Sequence, residues 1–271
     1  MNTRILLIYT ALLFLAACSQ HNNDQKLIVT GSSTVAPLIT ENAKRFEKSH
    51  PKTRIDVQTG GSSRGIVDVR KNLADIGMVS RALKPNENDL TAHTVALDGI
   101  TLIVHKDNPI TELTHTDLVN IYTGKSNNWK LFGGRNKEIV VVNKAEGRST
   151  LELFLKYFGL KNSEIMADII IGDNQQGLIT VAGNQLGIGY VSIGAASYEA
   201  ENGAAIRLLP INGVKPILAN VKNQTFPISR PLNIVTSGEL STLAKKFIQF
   251  SQSAEVHDLV EQQFFIPIDA S

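Results

Sequence analysis

The chain has 271 residues, 42% of them hydrophobic, enough for two α/β lobes or one large domain. Its 27 Lys and Arg nearly balance its 25 Asp and Glu. It has no basic tract and no interleaving of arginines with aromatics, which argues against a nucleic-acid partner and points to a small ligand and locally placed charge.

The N-terminus reads as a targeting segment. Arg4 precedes an apolar run, Ile5 to Ala17, too short for a comfortable membrane span and shaped like the core of a signal peptide. The run ends in Leu15-Ala16-Ala17-Cys18, similar to a bacterial lipobox, and Cys18 is the sole cysteine of the chain, so no internal disulfide accounts for it. Lipidation of Cys18 would anchor the protein to a membrane in the cell envelope, facing the periplasm or exterior. Residues 19–25 then form a polar tether. Ser19 directly after the cysteine fits outer-membrane retention if the host is Gram-negative.

Beyond the tether, strand and helix signals alternate. Leu27–Thr30 reads as a strand, followed by a helix from about Val35 to Ser49, with Pro37 in its first turn and His50-Pro51 stopping it. Further strands are expected at 55–58, 76–79 and 101–104, the last buried on both faces, with a short helix through Ile66, Val67 and Val69. Thr116 is expected to cap a helix that Gly124 closes. Strands at 139–142, 169–171, 186–191 and 231–236 follow, with helices after residue 150, near 176–182, at 243–251 and at 254–263. The alternation predicts an α/β fold with mostly parallel sheets flanked by helices.

Three turns share one chemistry. Gly31-Ser32-Ser33-Thr34, Gly61-Ser62-Ser63-Arg64-Gly65 and Gly147-Arg148-Ser149-Thr150 each follow a predicted strand and open a predicted helix. Such turns expose unpaired amides at the positive end of a helix dipole, with hydroxyls as added donors. A single turn of this kind is usually a helix cap. Three of them, two containing an arginine, point to one convergent oxyanion site. The third, reading NKAEGRST over 143–150, does not match the G-x-x-x-x-G-K-[ST] nucleotide loop.

With these turns, the segments GSSTVAPL, GGSSRG, ADIGMVSRAL, ALDGITLIVHKDNP, DLVNIYTGKSNNW, LGIGYVSIG and FPISRPLNIVT, in order from residue 31 to 236, make the chain resemble the PstS family of phosphate-binding proteins that feed phosphate ABC importers. The resemblance implies a two-lobed type II periplasmic binding fold with the ligand in the inter-lobe cleft, one lobe formed by 26–104 plus 221–271 and the other by 105–220. It implies inorganic phosphate as ligand, a membrane permease as partner, no cofactor and no catalysis. Monomer is the default, since a clamshell binder needs no second copy. By the family pattern, Ser33, Thr34, Val35, Ser62, Ser63 and Ser80 would contact the anion. Arg81 would either fork onto phosphate or form an ion pair at the lobe edge. Asp98 would accept a hydrogen bond from a proton that phosphate carries and sulfate lacks, or pair with Arg81, or both. Where the family commonly reads R-E-x-G-S-G-T, this chain has Lys144-Ala145-Glu146-Gly147-Arg148-Ser149-Thr150. A bidentate fork is thus lost at 144 and gained at 148, so Arg148 is expected to take over the clamp beside Ser149 and Thr150. Lys144 is either part of that clamp or a solvated surface lysine. Arsenate or another tetrahedral oxyanion remains compatible with these departures.

The other tempting residues read blandly. The six histidines show no metal-ligand spacing, and Trp129 and Tyr190 are expected to pack. A phosphatase-like activity would need an activated nucleophile or a metal-bound water, and no G-x-S-x-G elbow or Ser-His-Asp set stands out. A phosphate-binding sensor or adhesin-like lipoprotein is the other alternative to a transport role.

Overall fold

A computed structural model describes residues 25–268. Cys18, the signal run and most of the tether lie outside that range. The first strand, β1 (Gln25–Gly31), leads into α1 (Ala36–Ser49), then β2 (Thr53–Thr59), α2 (Ser62–Arg70) and β3 (Ile76–Val79). The long β4 (Leu90–His105) crosses to the second half, which holds α3 (His115–Tyr122), β5 (Val140–Lys144), α4 (Ser149–Phe158), β6 (Ile169–Ile171), α5 (Asn174–Ala182), β7 (Gly187–Ser192), α6 (Ile193–Glu201), β8 (Ile206–Leu209) and α7 (Leu218–Lys222). The chain returns through β9 (Ser229–Ser237) and ends in α8 (Thr242–Ser251) and α9 (His257–Gln262).

The strands hydrogen-bond in the order β2-β1-β3-β9-β4-β7-β5-β6, with β8 also on β4. At each end the pairing is parallel, β2-β1-β3 and β7-β5-β6. Through the middle, β3-β9-β4-β7 is antiparallel. Strand β4 serves both halves: Leu90–Gly99 pair with β9, and Ile100–His105 pair with β7 and β8. The register slips between Thr94 and Ala96, a bulge where a strand that changes partners must bend.

Each half has its own apolar core. Helix α1 turns Leu38, Ile39, Ala43 and Phe46 onto Leu27, Val29 and Ile76, and α8 adds Phe247 from the chain's far end. In the second half Phe154 stacks on Tyr190 with centroids 3.9 Å apart, and Tyr122 and Trp129 pack in the same cluster. Trp129 is 1% exposed and its Nε1 donates to the Leu186 carbonyl at 2.9 Å, as a packing residue should. Ile100, Leu102 and Val104, and on the return Val221, Phe226 and Ile228, belong to this second core. The lobes therefore meet near Gly99 and Ser229, a few residues from the boundaries expected at 104 and 221. No composition break marks the place, because the crossing occurs inside continuous strands.

Local differences have local causes. Thr114, not Thr116, caps α3: its hydroxyl accepts from the Asp117 amide at 3.1 Å while Asp117 reaches back to the Thr114 amide at 2.9 Å, a reciprocal capping box. The expected strand 101–104 is the buried end of the 16-residue β4. Its first half is exposed or half-buried from Thr91 to Thr94 and buried at Val95 and Ala96, and is held by β9, a partner more than a hundred residues away.

Candidate functional site

The three turns come together. Ser32, Ser33 and Thr34 after β1, Gly61 and Ser62 after β2, Ser80 after β3, Lys144 at the end of β5, Arg148, Ser149 and Thr150 before α4, and Gly172 and Asn174 after β6 wall one small cavity where the lobes meet. All lie beyond the carboxyl ends of strands, the ligand position of open α/β sheets. About 10 Å³ of the cavity is open to the centre of a water molecule.

The helices that face it have open ends. Among the described residues no side chain caps the N-termini of α1, α2 or α4, whereas Thr114, Asp173, Ser192 and Ser241 cap α3, α5, α6 and α8. The hydroxyls that sequence would assign to capping are thus free to serve the cavity, and uncapped amides carry the positive end of the helix dipole. Gly61 allows this approach. Its φ is +94°, and a Cβ there would stand 2.8 Å from the Gly147 carbonyl oxygen and 2.8 Å from Arg148 Cδ.

Behind the cavity lies an arginine of the FPISRPLNIVT segment that no local pattern marks for the site. Arg230 of β9 is 3% exposed. Its Nη1 donates to Thr150 Oγ1 at 3.0 Å and Ser80 Oγ at 3.3 Å, and its Nη2 to Thr34 Oγ1 at 3.4 Å. Asn174 was also missed. Its Nδ2 donates to Thr34 Oγ1 at 3.1 Å and its Oδ1 accepts from Lys144 Nζ at 3.0 Å. The signal for Arg230 is a lone charge beside a proline in a strand with no other charged residue; Asn174, one residue past the Asp173 cap, gives none.

Lys144 is buried, not a solvated surface lysine, at 2% exposure. Burial, then the nearby Arg230 and Arg148, push its ammonium down from 10.5 to about 7, against a smaller upward pull from Asp173. Arg148 is half-buried, and its Nε and Ser149 Oγ are buried without a hydrogen-bond partner among the described residues. Buried orphan donors of this kind are costly unless a ligand or water meets them.

Three of the expected residues sit elsewhere than expected. Arg81 does not offer its fork to the cavity: both Nη atoms bind Glu87, at 2.7 and 2.8 Å, and Nε lies 3.0 Å from Glu152 in an ion pair that falls short of hydrogen-bond geometry. Two carboxylates outcompete an open cavity for a buried guanidinium. Asp98 pairs with Arg230 rather than Arg81. Its Oδ2 takes both Nε at 3.0 Å and Nη2 at 2.8 Å, while Oδ1 accepts from the Gly194 amide at 3.2 Å. With its oxygens so engaged and Arg230 in front, Asp98 orients the guanidinium and does not face the cavity. Ser63 is half-buried outside the wall, and its amide donates to the Gly147 carbonyl across the cleft at 3.2 Å. The Val35 side chain is buried in the core of the first lobe, so its expected part in the site is its backbone amide alone.

Contacts across the cleft surround the cavity: Asn174 to Thr34, Arg230 to Thr150, Ser63 to Gly147, and Glu152 to both Arg81 and Lys84. A larger groove of about 480 Å³ adjoins it, between Pro37, Val57, Tyr198 and Phe265. Glu41, Asp173 and Glu199 line that groove and repel anions, so the donor-lined cavity is the candidate site.

A donor cage closed between two lobes by paired crossing strands defines a type II periplasmic binding protein. A model of the PBP superfamily domain matches residues 17–255. The phosphate-binding protein PstS of Bacillus subtilis is 31% identical over 247 residues, covering 89% of this chain and 80% of its own length. Among solved structures, a phosphate ABC transporter substrate-binding protein of Clostridium perfringens with bound phosphate superposes with a TM-score of 0.84 at 33% identity, over 90% of this chain and all of that one. A phosphate transport receptor from Vibrio cholerae gives 0.73 at 29% identity, over 89% of this chain and all of that one. The chain belongs to the PstS family of the PBP superfamily.

Proposed function

We propose that the protein is an extracytoplasmic solute-binding protein that captures inorganic phosphate between its lobes and hands it to the permease of an ABC importer, held at the membrane by a lipid on Cys18. One observation carries the ligand: three uncapped helix ends, Lys144, Arg148 and Arg230 converge on one cavity at the lobe junction of a PstS-family chain. Aligned amides, hydroxyls and charge-assisted donors in a dry site are what a small oxyanion requires. In this reading Ser33, Thr34, Val35, Ser62, Ser149 and Thr150 supply amides or hydroxyls, Ser80 adds a hydroxyl, and Lys144, Arg148 and Arg230 supply charge. Asp98, Arg81 and Ser63 act from behind, the first on Arg230 and the others on closure. The narrowness of the cavity requires the lobes to part for entry, a hinge motion for which the paired crossings in β4 and β9 are suited.

The wall carries serines but no carboxylate or imidazole beside them, its one amine, Lys144 Nζ, is hydrogen-bonded to Asn174, and Asp98 is committed to Arg230. That arrangement favours capture over hydrolysis. Calorimetric titration of the mature chain, stripped of anion, tests the reading. Saturable one-to-one phosphate binding is expected; its absence overturns the assignment. Membrane fractionation with and without Cys18→Ser tests the anchor, the variant being expected in the soluble fraction.

A further inference from the structure

The hydroxyls of the cage are turned into donors by what stands behind them. A hydroxyl has one hydrogen and two lone pairs. Thr34 Oγ1 accepts from Asn174 and Arg230, which uses both lone pairs and leaves its hydrogen to point into the cavity. Ser80 Oγ accepts from Ser32 Oγ and Arg230 in the same way. Thr150 Oγ1 accepts from Arg230 and Ser62 Oγ from the Ser80 amide, whereas Ser32, which accepts from the Thr34 amide, spends its hydrogen on Ser80 and acts from behind. Asn174 turns its oxygen to Lys144, so its amide nitrogen faces Thr34.

A cage of donors fits a fully ionised oxyanion. A protonated phosphate also needs an acceptor for its own hydroxyl. Asp98, the carboxylate nearest in role, is turned away and engaged by Arg230 and Gly194. Of the wall side chains only Lys144 and Arg148 carry basic nitrogen, and a guanidinium has no acceptor to offer. Lys144 is therefore the one base on the wall with a strong lone pair to give.

We propose that Lys144 decides which tetrahedral oxyanion the cage takes: as a neutral amine it accepts the hydroxyl hydrogen of a protonated phosphate, and only as an ammonium does it complete the shell of sulfate. This rests on the reading of the cage as a phosphate site. The groups facing Lys144 are Arg148 from the turn before α4, Arg230 from β9, Asp173 from the turn before α5, and the Tyr190 hydroxyl of β7, which meets the Lys144 amide at 3.4 Å. Two guanidiniums against one carboxylate favour the neutral amine, and burial acts in the same direction. Each sulfate bound above neutral pH must then bring a proton to Lys144, whereas phosphate arrives carrying one. Selectivity for phosphate over sulfate becomes a function of pH, set by an amine in place of a carboxylate.

The test is calorimetry with phosphate and with sulfate on the wild-type mature chain at pH 6 and pH 8.5. With Lys144 at about 7, sulfate should weaken about thirtyfold between the two, tenfold for each pH unit above that value. Phosphate should hold or strengthen. Repeating the sulfate titration at pH 8.5 in buffers of different ionisation heat should show uptake of about one proton per ion bound. Lys144→Arg, which cannot give up its charge, should keep sulfate binding constant across the range and lose the preference for phosphate. The wild-type series stands even if that variant does not fold. Phosphate binding with sulfate affinity independent of pH, or with no sulfate binding at pH 6, removes Lys144 as the selector and leaves the phosphate site standing. Silence toward phosphate at both pH values removes the site itself.

Discussion

Arg230 Nη2 lies 2.8 Å from Asp98 Oδ2, with the two side chains 1% and 0% exposed. The strands that carry them, β4 and β9, are the two that run between the lobes, and Asp98 and Arg230 are register partners. The pair therefore fixes a cation at the point where the lobes join, from which it reaches Thr34 and Ser80 on one side and Thr150 on the other.

Removing the carboxylate charge exposes the cost of that arrangement. Asp98→Asn keeps the shape but leaves a buried guanidinium unpaired, and should lower stability by about 3–5 kcal/mol. Urea unfolding measures it. Added phosphate should restore part of the loss, because the anion supplies the missing counter-charge. An unchanged unfolding midpoint would show that Arg230 finds another partner.

Arg148 tests the clamp without touching the core. It is half-buried and unpaired among the described residues. Arg148→Ala should leave the melting temperature of the anion-free protein within about a degree or two, since it takes away no hydrogen bond among those residues and removes a buried, unpaired Nε. Phosphate affinity should fall about 10- to 100-fold, the value of one or two charge-assisted hydrogen bonds. Calorimetry that finds wild-type affinity would take Arg148 out of the site.

Closure depends on Gly61. A methyl group there meets the Gly147 backbone oxygen at 2.8 Å, a contact that no side-chain rotation relieves. Gly61→Ala should hold the lobes apart, with small-angle scattering showing no compaction on adding phosphate. The same compaction as in wild type would mean that the turns slide past one another.

Stability should rise with pH in a window set by Lys144. Its folded value of about 7 lies below the unfolded 10.5. Between the two the unfolded chain holds a proton that the folded chain has lost, so raising the pH favours folding, by up to about 1.4 kcal/mol per unit. Below 7 both forms are protonated and the deficit is at its full and constant value. Urea midpoints at pH 7 and 9 should differ more for wild type than for Lys144→Met, in which this dependence vanishes. Equal slopes would place the ammonium in solvent.

Ligand and site were partly legible in the chain because their signals are local. A strand end followed by glycine and small hydroxyls opens a helix wherever it occurs, and three such turns with Arg148 and Lys144 announce an anion site before any contact is known. Apolar periodicity located α1, α4 and α8 by the same logic, since Leu38, Ile39, Ala43 and Phe46 follow a helical repeat irrespective of what they touch.

What the turns could not disclose was who stands behind them. Whether Arg81 or Arg230 serves the cage depends on which guanidinium finds carboxylates: Glu87 takes Arg81 from six residues along the same lobe, and Glu152 joins it only where α4 lies across the cleft. Asp98 could be given its partner only when β9 came back antiparallel to β4 from more than a hundred residues away. The burial that turns Lys144 from a solvated charge into a base near neutrality is likewise a property of the closed junction. The sequence by itself determined the donors, because backbone conformation and helix ends are local. Tertiary structure decided the charges, because a charge takes its partner, its solvent and its proton from whatever folding brings beside it.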